Sequence, residues 1–172
     1  EQIVRSTCAF CEAVRGHYSG LEILPACEIT HVPPALIGGL VERARRFGAR
    51  LVLVHGETIV EPVQAGTNRA AIEAGADVLA HPGLIEPADV TLAARKGVLL
   101  EISARQGHCL TNGHVARLAC QHGAGLCFGS DGHEPGDYPD RQTAARILSG
   151  AGLTEQQVDD VLRNTAAFFE RP

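Results

Sequence analysis

The sequence contains no methionine and no tryptophan, and only 4% of its 172 residues are aromatic. A chain without methionine does not begin at its natural start of translation, so we expect processing or a preceding segment. No apolar run approaches the roughly 18 residues of a membrane span, and the first residues lack the pattern of a signal peptide. These absences predict a cytoplasmic protein that does not cross a membrane.

The chain also has fewer basic than acidic residues. The chain has 15 Lys and Arg against 20 Asp and Glu, a formal net charge of −5. Proteins that bind nucleic acids or anionic membranes usually have an excess of basic residues. Proteins that bind single-stranded nucleic acids also stack the bases on aromatic side chains. The composition therefore argues against nucleic acid as a partner.

Several sequence motifs of catalysis and nucleotide binding are missing. There is no Walker-type or GxGxxG loop to bind phosphates, and no GxSxG turn to present a nucleophilic serine. Six scattered cysteines do not form a disulfide framework, and we interpret them as free thiols. Cys8 and Cys11 form one CxxC pair without a second pair at zinc-ribbon spacing, which favours a structural role over redox or metal chemistry.

A regular alternation of strands and helices is present instead. Short apolar runs predict five strands, and helical patterns bounded by Pro and Gly lie between and after them. The predicted strands cover 21–27, 50–54, 76–80, 97–103 and 125–130, and the predicted helices 34–47, 67–74, 87–96, 112–122, 140–149 and 155–169. The sequence therefore predicts one α/β domain over residues 1–172 with five βα units.

Polar residues of metal-binding types follow every predicted strand. In α/β folds, the carboxyl ends of the strands form the ligand-binding edge. The residues concerned are Glu28 and His31, His55 and Glu57, His81, Arg105 and His108, and Asp131 and His133. Imidazole and carboxylate ligands without cysteine favour Zn, Mn or Fe, and there are more of them than one tetrahedral ion uses. We therefore expect a multinuclear metal site.

Five separated motifs resemble a known family. The segments "CEITHVPP", "VHGETIVEPV", "DVLAHPGLI", "LEISARQGHCLTNGHVA" and "SDGHEPGD" are similar to those of the PHP (polymerase and histidinol phosphatase) metal-dependent phosphoesterases, in the stand-alone histidinol-phosphatase-like branch. The resemblance implies a distorted (β/α)7 TIM-like barrel. The family's opening His-x-His strand and its neighbours are missing, which implies that five of seven units are present, as the C-terminal part of a longer chain.

The resemblance also implies a role for each candidate residue. Glu28 matches the family's bridging carboxylate. The other implied metal ligands are His55, His81, Asp131 and His133. Arg105 and His108 are implied to be catalytic, facing the substrate phosphate, and we expect His31 and Glu57 beside them at the rim of the substrate cleft, with Arg105 also binding substrate.

The function implied is hydrolysis of a small phosphomonoester. Two or three divalent ions (Zn, Mn or Fe) would activate a water molecule, and Arg105 would stabilise the developing charge. Two alternatives remain open at this point: a phosphodiesterase or exonuclease, and a barrel that binds metal or a partner without catalysis. A small phosphorylated substrate is the expected partner, and a homo-oligomer is also open.

Overall fold

Five short strands pair side by side in one parallel sheet in the computed structural model, which describes residues 1–170. The strands are β1 (Ala26–Ile29), β2 (Leu51–His55), β3 (Val78–Ala80), β4 (Leu99–Ser103) and β5 (Leu126–Gly129). Their order in the sheet is the order of the sequence, β1-β2-β3-β4-β5. Each strand therefore pairs with the strands that precede and follow it along the chain, and all the carboxyl ends lie at one edge.

Helices connect the strands and follow the last one. They are α1 (Gln2–Val14), α2 (Pro34–Arg46), α3 (Thr67–Glu73), α4 (Pro87–Lys96), α5 (Asn112–His122), α6 (Arg141–Gly150) and α7 (Glu155–Ala166), with short 3-10 turns at His108–Thr111 and Pro135–Asp137. The predicted signals act as expected: α2 and α4 begin with Pro, whose missing N–H is tolerated in the first turn. The helix predictions after residue 34 are confirmed to within a few residues.

The main core lies between the sheet and its helices. Val52, Val54, Leu79, Leu100 and Ile102 point from the strands into this layer and are fully buried. The opposite face of the sheet carries a smaller cluster of Val78, Cys127 and Phe168. Alternate residues of a strand point to opposite faces, so the short apolar strands supply both layers.

The predicted α/β fold is confirmed, but the sheet is open and does not show the expected barrel. Within residues 1–170, β1 and β5 form the two edges of the sheet and do not pair with each other. Continuous apolar runs predict strands that are buried on both faces, and such strands occur in closed and in open parallel sheets alike. The barrel came from the family resemblance alone.

Two elements differ from the prediction. The first strand is Ala26–Ile29 instead of 21–27, because Pro25 has no N–H to donate and its carbonyl instead accepts the N–H of Arg50 at 2.8 Å. The sequence does not predict the first helix, α1. Its N-terminal residue Glu1 makes no side-chain capping bond, so the usual start signal of a helix is absent there. No helix among the described residues combines the length and apolar character needed to span a bilayer.

Candidate metal centre

Three histidines converge at the carboxyl edge of the sheet. His55 is the last residue of β2, His81 follows β3 directly, and His108 begins the 3-10 turn after β4. All three are buried, and one ring nitrogen from each lies within 4.8 Å of the others. The rings of His81 and His108 stack with centroids 4.1 Å apart, and those of His55 and His81 are 4.4 Å apart.

A hydrogen bond at Nδ1 fixes the orientation of each imidazole ring. The Nδ1 atom of His55 lies 3.0 Å from the carbonyl oxygen of Gly56, and that of His108 lies 2.8 Å from the Thr58 hydroxyl. The Nδ1 of His81 lies 2.9 Å from a carboxylate oxygen of Glu101, itself buried in β4. With each Nδ1 engaged, the Nε2 atoms are left to face the common space, the arrangement typical of metal-binding histidines.

One atom tests whether a cation fits this space. The Nε2 of His81 is buried and has no hydrogen-bond partner. Buried polar atoms without a hydrogen-bond partner are rare in proteins, and binding of an ion is one explanation for such an atom. A carboxylate on Nδ1 and an unpaired Nε2 suit a divalent cation, so the residues present fit a metal ion.

Carboxylates surround the three imidazoles. The Glu61 carboxylate lies 3.1 Å from His55 Nε2 and 3.5 Å from His108 Nε2. Asp131 lies 3.7 Å from His108 Nε2, and Glu28 lies 4.0 Å from His81 Nε2. Sequence reasoning missed Glu61, which stands six residues beyond the end of β2 and reaches the centre only through the path of its loop.

The backbone is strained where it delivers these side chains. His31, His81 and Asp131 have φ angles of 51°, 30° and 46°, and they are the only non-glycine residues with positive φ among those described. Left-handed backbone is costly for residues with a Cβ and concentrates at functional sites. All three strained residues lie at the carboxyl edge, at or next to the candidate centre.

Burial and neighbouring charges shift the pKa values of the centre. Burial lowers the pKa of His55 and of His108, and the nearby His81 lowers both further. Burial also opposes a charge on His81, but the hydrogen bond and the negative charge of Glu101 raise its pKa overall. Burial raises the pKa of Glu28. Two of the three imidazoles therefore favour the neutral form, which is the form that binds metal.

Arg105 and His133 lie where the centre opens to solvent. Arg105 donates through Nη1 to Asp137 at 3.1 Å, and its Nε lies 3.9 Å from Asp131. The His133 imidazole is 61% exposed, with Nδ1 2.8 Å from the backbone oxygen of Asp131. Both residues line a cavity of about 250 Å³ over the centre. The opening is therefore polar, and Arg105 is the only arginine or lysine among the described residues that line it.

The structure brings most of the predicted site residues together. Lining the 250 Å³ cavity are Glu28, His31, His55, Arg105, His108, Asp131 and His133, with Glu61 in addition, and His81 lies beneath it. His108, expected beside the substrate, is instead one of the three buried donors. His31 is half-exposed and lies 3.4 Å from Glu61, in a second group of donors with His55.

Glu57 is not part of this site. Its carboxylate accepts the N–H groups of Gly66 and Asn68, at 3.0 and 2.9 Å, and so stabilises the start of α3. A carboxylate satisfies free N–H groups at a helix N-terminus and interacts favourably with the helix dipole. The prediction that Glu57 binds substrate at the cleft rim is corrected for this reason.

One comparison identifies a relative by sequence. The chain is 34% identical over 163 residues to the uncharacterized protein MJ1295 of Methanocaldococcus jannaschii, a match that covers 94% of this chain and 75% of the relative. No family model matches the sequence.

Solved structures share the fold. A chain in the cryo-EM structure of an archaeal ribonuclease P with mature tRNA matches with a TM-score of 0.78 and 14% identity, over 96% of this chain and 75% of that one. The crystal structure of an uncharacterized protein matches with a TM-score of 0.66 and 13% identity, over 97% of this chain and 47% of that one. At such low identity these matches establish the fold alone.

The comparisons contradict three expectations from the sequence motifs. The resemblance to the PHP phosphoesterases is wrong, because no family model matches and the relative found by sequence is uncharacterized. The expected hydrolysis of a small phosphomonoester is therefore also wrong. The same holds for the two alternatives that the family resemblance implied, a PHP-type phosphodiesterase or exonuclease and a non-catalytic PHP barrel. The expectation that nucleic acid is not a partner is also corrected, because a chain of the same fold is part of the structure of an archaeal ribonuclease P with mature tRNA. Unrelated families can place His, Asp and Gly at strand ends in the same way, so such motifs do not by themselves identify a family.

Proposed function

The chain belongs to the family of the uncharacterized protein MJ1295 of Methanocaldococcus jannaschii, and we propose that it is a metal-dependent RNA-binding protein. In this proposal, a divalent cation held at the carboxyl edge of the sheet binds an RNA phosphate. The observation that carries it is the convergence of three buried imidazoles, with their Nε2 atoms turned to one point and carboxylates beside them.

The residues that would hold the cation are His55, His81 and His108, with Glu61 or Asp131 beside them. Nitrogen and carboxylate donors suit Zn, Mn or Fe, and the bound ion would supply a concentrated positive charge for an anionic ligand. His31, His55 and Glu61 form a second group of donors. Because both groups use His55, whose Nδ1 faces Gly56, we propose one ion in the buried group. The number of two or three ions that the sequence motifs imply is not tested.

RNA is proposed as the partner for two reasons. A chain of the same fold belongs to a structure of ribonuclease P with tRNA. The centre also offers a way for an acidic chain to hold a phosphate, because a divalent ion and the Arg105 guanidinium concentrate positive charge at one point of a surface whose net charge is −5. Binding would then be focused on one or two phosphates.

Each residue at the opening has a separate part in this binding. Asp137 holds the Arg105 guanidinium in place through a 3.1 Å contact, so that its remaining N–H groups can donate to phosphate oxygens. His133 is exposed beside it and lines the same opening. That the chain is also an enzyme stays a prediction, and the integrity of a labelled RNA incubated with the metal-loaded protein would test it directly.

The experiment that tests the proposal measures RNA binding with and without metal. We expect the fluorescence anisotropy of a labelled single-stranded RNA to rise with protein in the presence of Mn²⁺, and the rise to disappear in EDTA. His81→Asn should lower both metal content and RNA affinity at least about tenfold, in the range for lost metal-site contacts. His17→Asn, at an exposed position far from the strand ends, is the matched control. Equal RNA affinity in EDTA and in Mn²⁺ would overturn the proposal.

A further inference from the structure

A larger cavity adjoins the metal centre. It has a volume of about 910 Å³, and it shares Arg105 and His133 with the smaller cavity over the three histidines. Its outer wall comes from the loop after β5 and the start of α6, residues 133–143. A volume of this size matches the clefts that hold small organic ligands and cofactors. The phosphate-binding point therefore opens into space for a much larger group.

Tyr138 provides a flat aromatic wall in this cavity. Its ring lies so close to Gly132 that a Cβ on that glycine would be 2.8 Å from the ring Cζ, and its hydroxyl donates to the Gly132 carbonyl at 3.4 Å. One part of the ring is thus held against the segment that carries Asp131 and His133. The side chain is nevertheless 66% exposed, so a large part of the ring remains free to contact a ligand.

Residues that can exchange hydrogen bonds line the same cavity. Gln106 contributes an amide and Ser130 a hydroxyl, and both can donate and accept. Acidic side chains at the rim, such as Glu134 and Asp140, disfavour a second phosphate there. The cavity therefore combines one anion-binding end, at Arg105, with a neutral to acidic, partly aromatic end that suits a base and a sugar.

We infer that this cavity binds a nucleoside monophosphate unit, with the base stacked on Tyr138 and the phosphate at Arg105 and the metal centre. The inference rests on the proposed function and specifies its ligand: the terminal nucleotide of a single-stranded RNA. A base inside a duplex is stacked on its neighbours and has no free face, whereas an unpaired terminal base can stack on an aromatic side chain.

The experiment compares two phosphates that differ only in the base. AMP and ribose 5-phosphate are titrated into the Mn²⁺-loaded protein by calorimetry. We expect AMP to bind roughly ten- to a hundredfold more tightly, the range for one stacked base. Tyr138→Leu should abolish this difference and Tyr138→Phe should retain it. Metal content and thermal melts of both variants should match the parent chain, which separates loss of stacking from loss of folding.

Each outcome bears on the inference. Equal affinities for AMP and ribose 5-phosphate, or a difference that survives Tyr138→Leu, would overturn the cavity assignment while leaving metal-dependent phosphate binding intact. Binding of neither compound, in Mn²⁺ or in EDTA, would overturn the proposed function as well. A 5′-phosphorylated single-stranded oligonucleotide is the third ligand to be titrated. It should bind at least as tightly as AMP, and a failure to do so would overturn the RNA end as the source of the nucleotide.

Discussion

Glu101 shows how a single residue can serve a site without facing its ligand. Its carboxylate accepts both the backbone N–H and the Nδ1 proton of His81, each at 2.9 Å. These two bonds hold the strained His81 in position and leave its Nε2 pointing into the centre. Glu101 is therefore a positioning residue for the most buried donor.

Replacement of this carboxylate should weaken metal binding. We expect Glu101→Gln to reduce metal affinity about 10- to 100-fold, because partners of metal-binding histidines contribute in that range. Glu57→Ala is the control: it should lower the free energy of unfolding by about 0.5–2 kcal/mol, as for a lost helix cap, with unchanged metal affinity. Zinc titration against a chromogenic chelator and denaturant melts measure the two quantities. Unchanged affinity in Glu101→Gln would contradict the role of Glu101.

A glycine in β5 protects the same carboxylate. A Cβ added at Gly129 would clash with Oε1 of Glu101, so Gly129→Ala must displace either the strand or Glu101. We expect lower metal affinity together with a loss of about 1–3 kcal/mol in stability, as for overpacking of a core. In Gly38→Ala the new Cβ meets nothing within 4 Å in the middle of α2. This control should instead gain about 0.5–1 kcal/mol, and a stable Gly129→Ala with full metal affinity would refute the prediction.

The candidate residues show what a sequence can and cannot reveal about a site. His55, His81 and Asp131 could be predicted because they stand directly at strand ends, and the carboxyl ends of parallel strands share one edge. Glu57 and Glu61 lie in the same loop, four residues apart, and only the loop path decides which of them reaches the centre. That path depends on contacts distant in sequence, such as the bond between Thr58 and His108.

At the scale of elements, a local signal predicted where α7 begins. Thr154 and Gln157 form a reciprocal capping box, in which the Gln157 side chain accepts the Thr154 N–H at 2.8 Å and the Thr154 hydroxyl accepts the Gln157 N–H at 3.4 Å. The helix packs against β5, and its Val158 and Val161 are buried. Capping boxes involve residues three apart, so neither bond depends on the rest of the fold.

This cap should contribute measurably to stability. We expect Thr154→Ala to lower the free energy of unfolding by about 0.5–2 kcal/mol, because the N–H of Gln157 loses its acceptor. Thr154→Ser keeps the hydroxyl and should stay close to the parent chain. Urea denaturation followed by circular dichroism measures both. Equal midpoints for the Ala and Ser variants would show that the cap is dispensable.

At the scale of the whole molecule, charge determines how RNA binding should respond to salt. Each phosphate neutralised on single-stranded nucleic acid adds about 0.7 to the slope of log affinity against log salt. With a net charge of −5 and binding focused on one or two phosphates, we expect a slope of about −0.7 to −1.4. Anisotropy titrations from low to moderate KCl at constant Mn²⁺ give the value. A slope steeper than about −4 would require an extended basic track and contradict focused binding.

The sequential strand order has a consequence for synthesis of the protein. Because every strand pairs with its neighbours in the sequence, each βα unit can dock as soon as it leaves the ribosome, and domains fold from the N-terminus during translation. The donors are spread from Glu28 to Asp131, so a nascent chain acquires them one unit at a time. The last carboxylate arrives only after β5 has emerged, and the centre reaches full affinity late. Under the proposed function, a chain stalled before β5 would hold the three histidines and Glu61 without Asp131, and it would bind metal more weakly than the finished sheet.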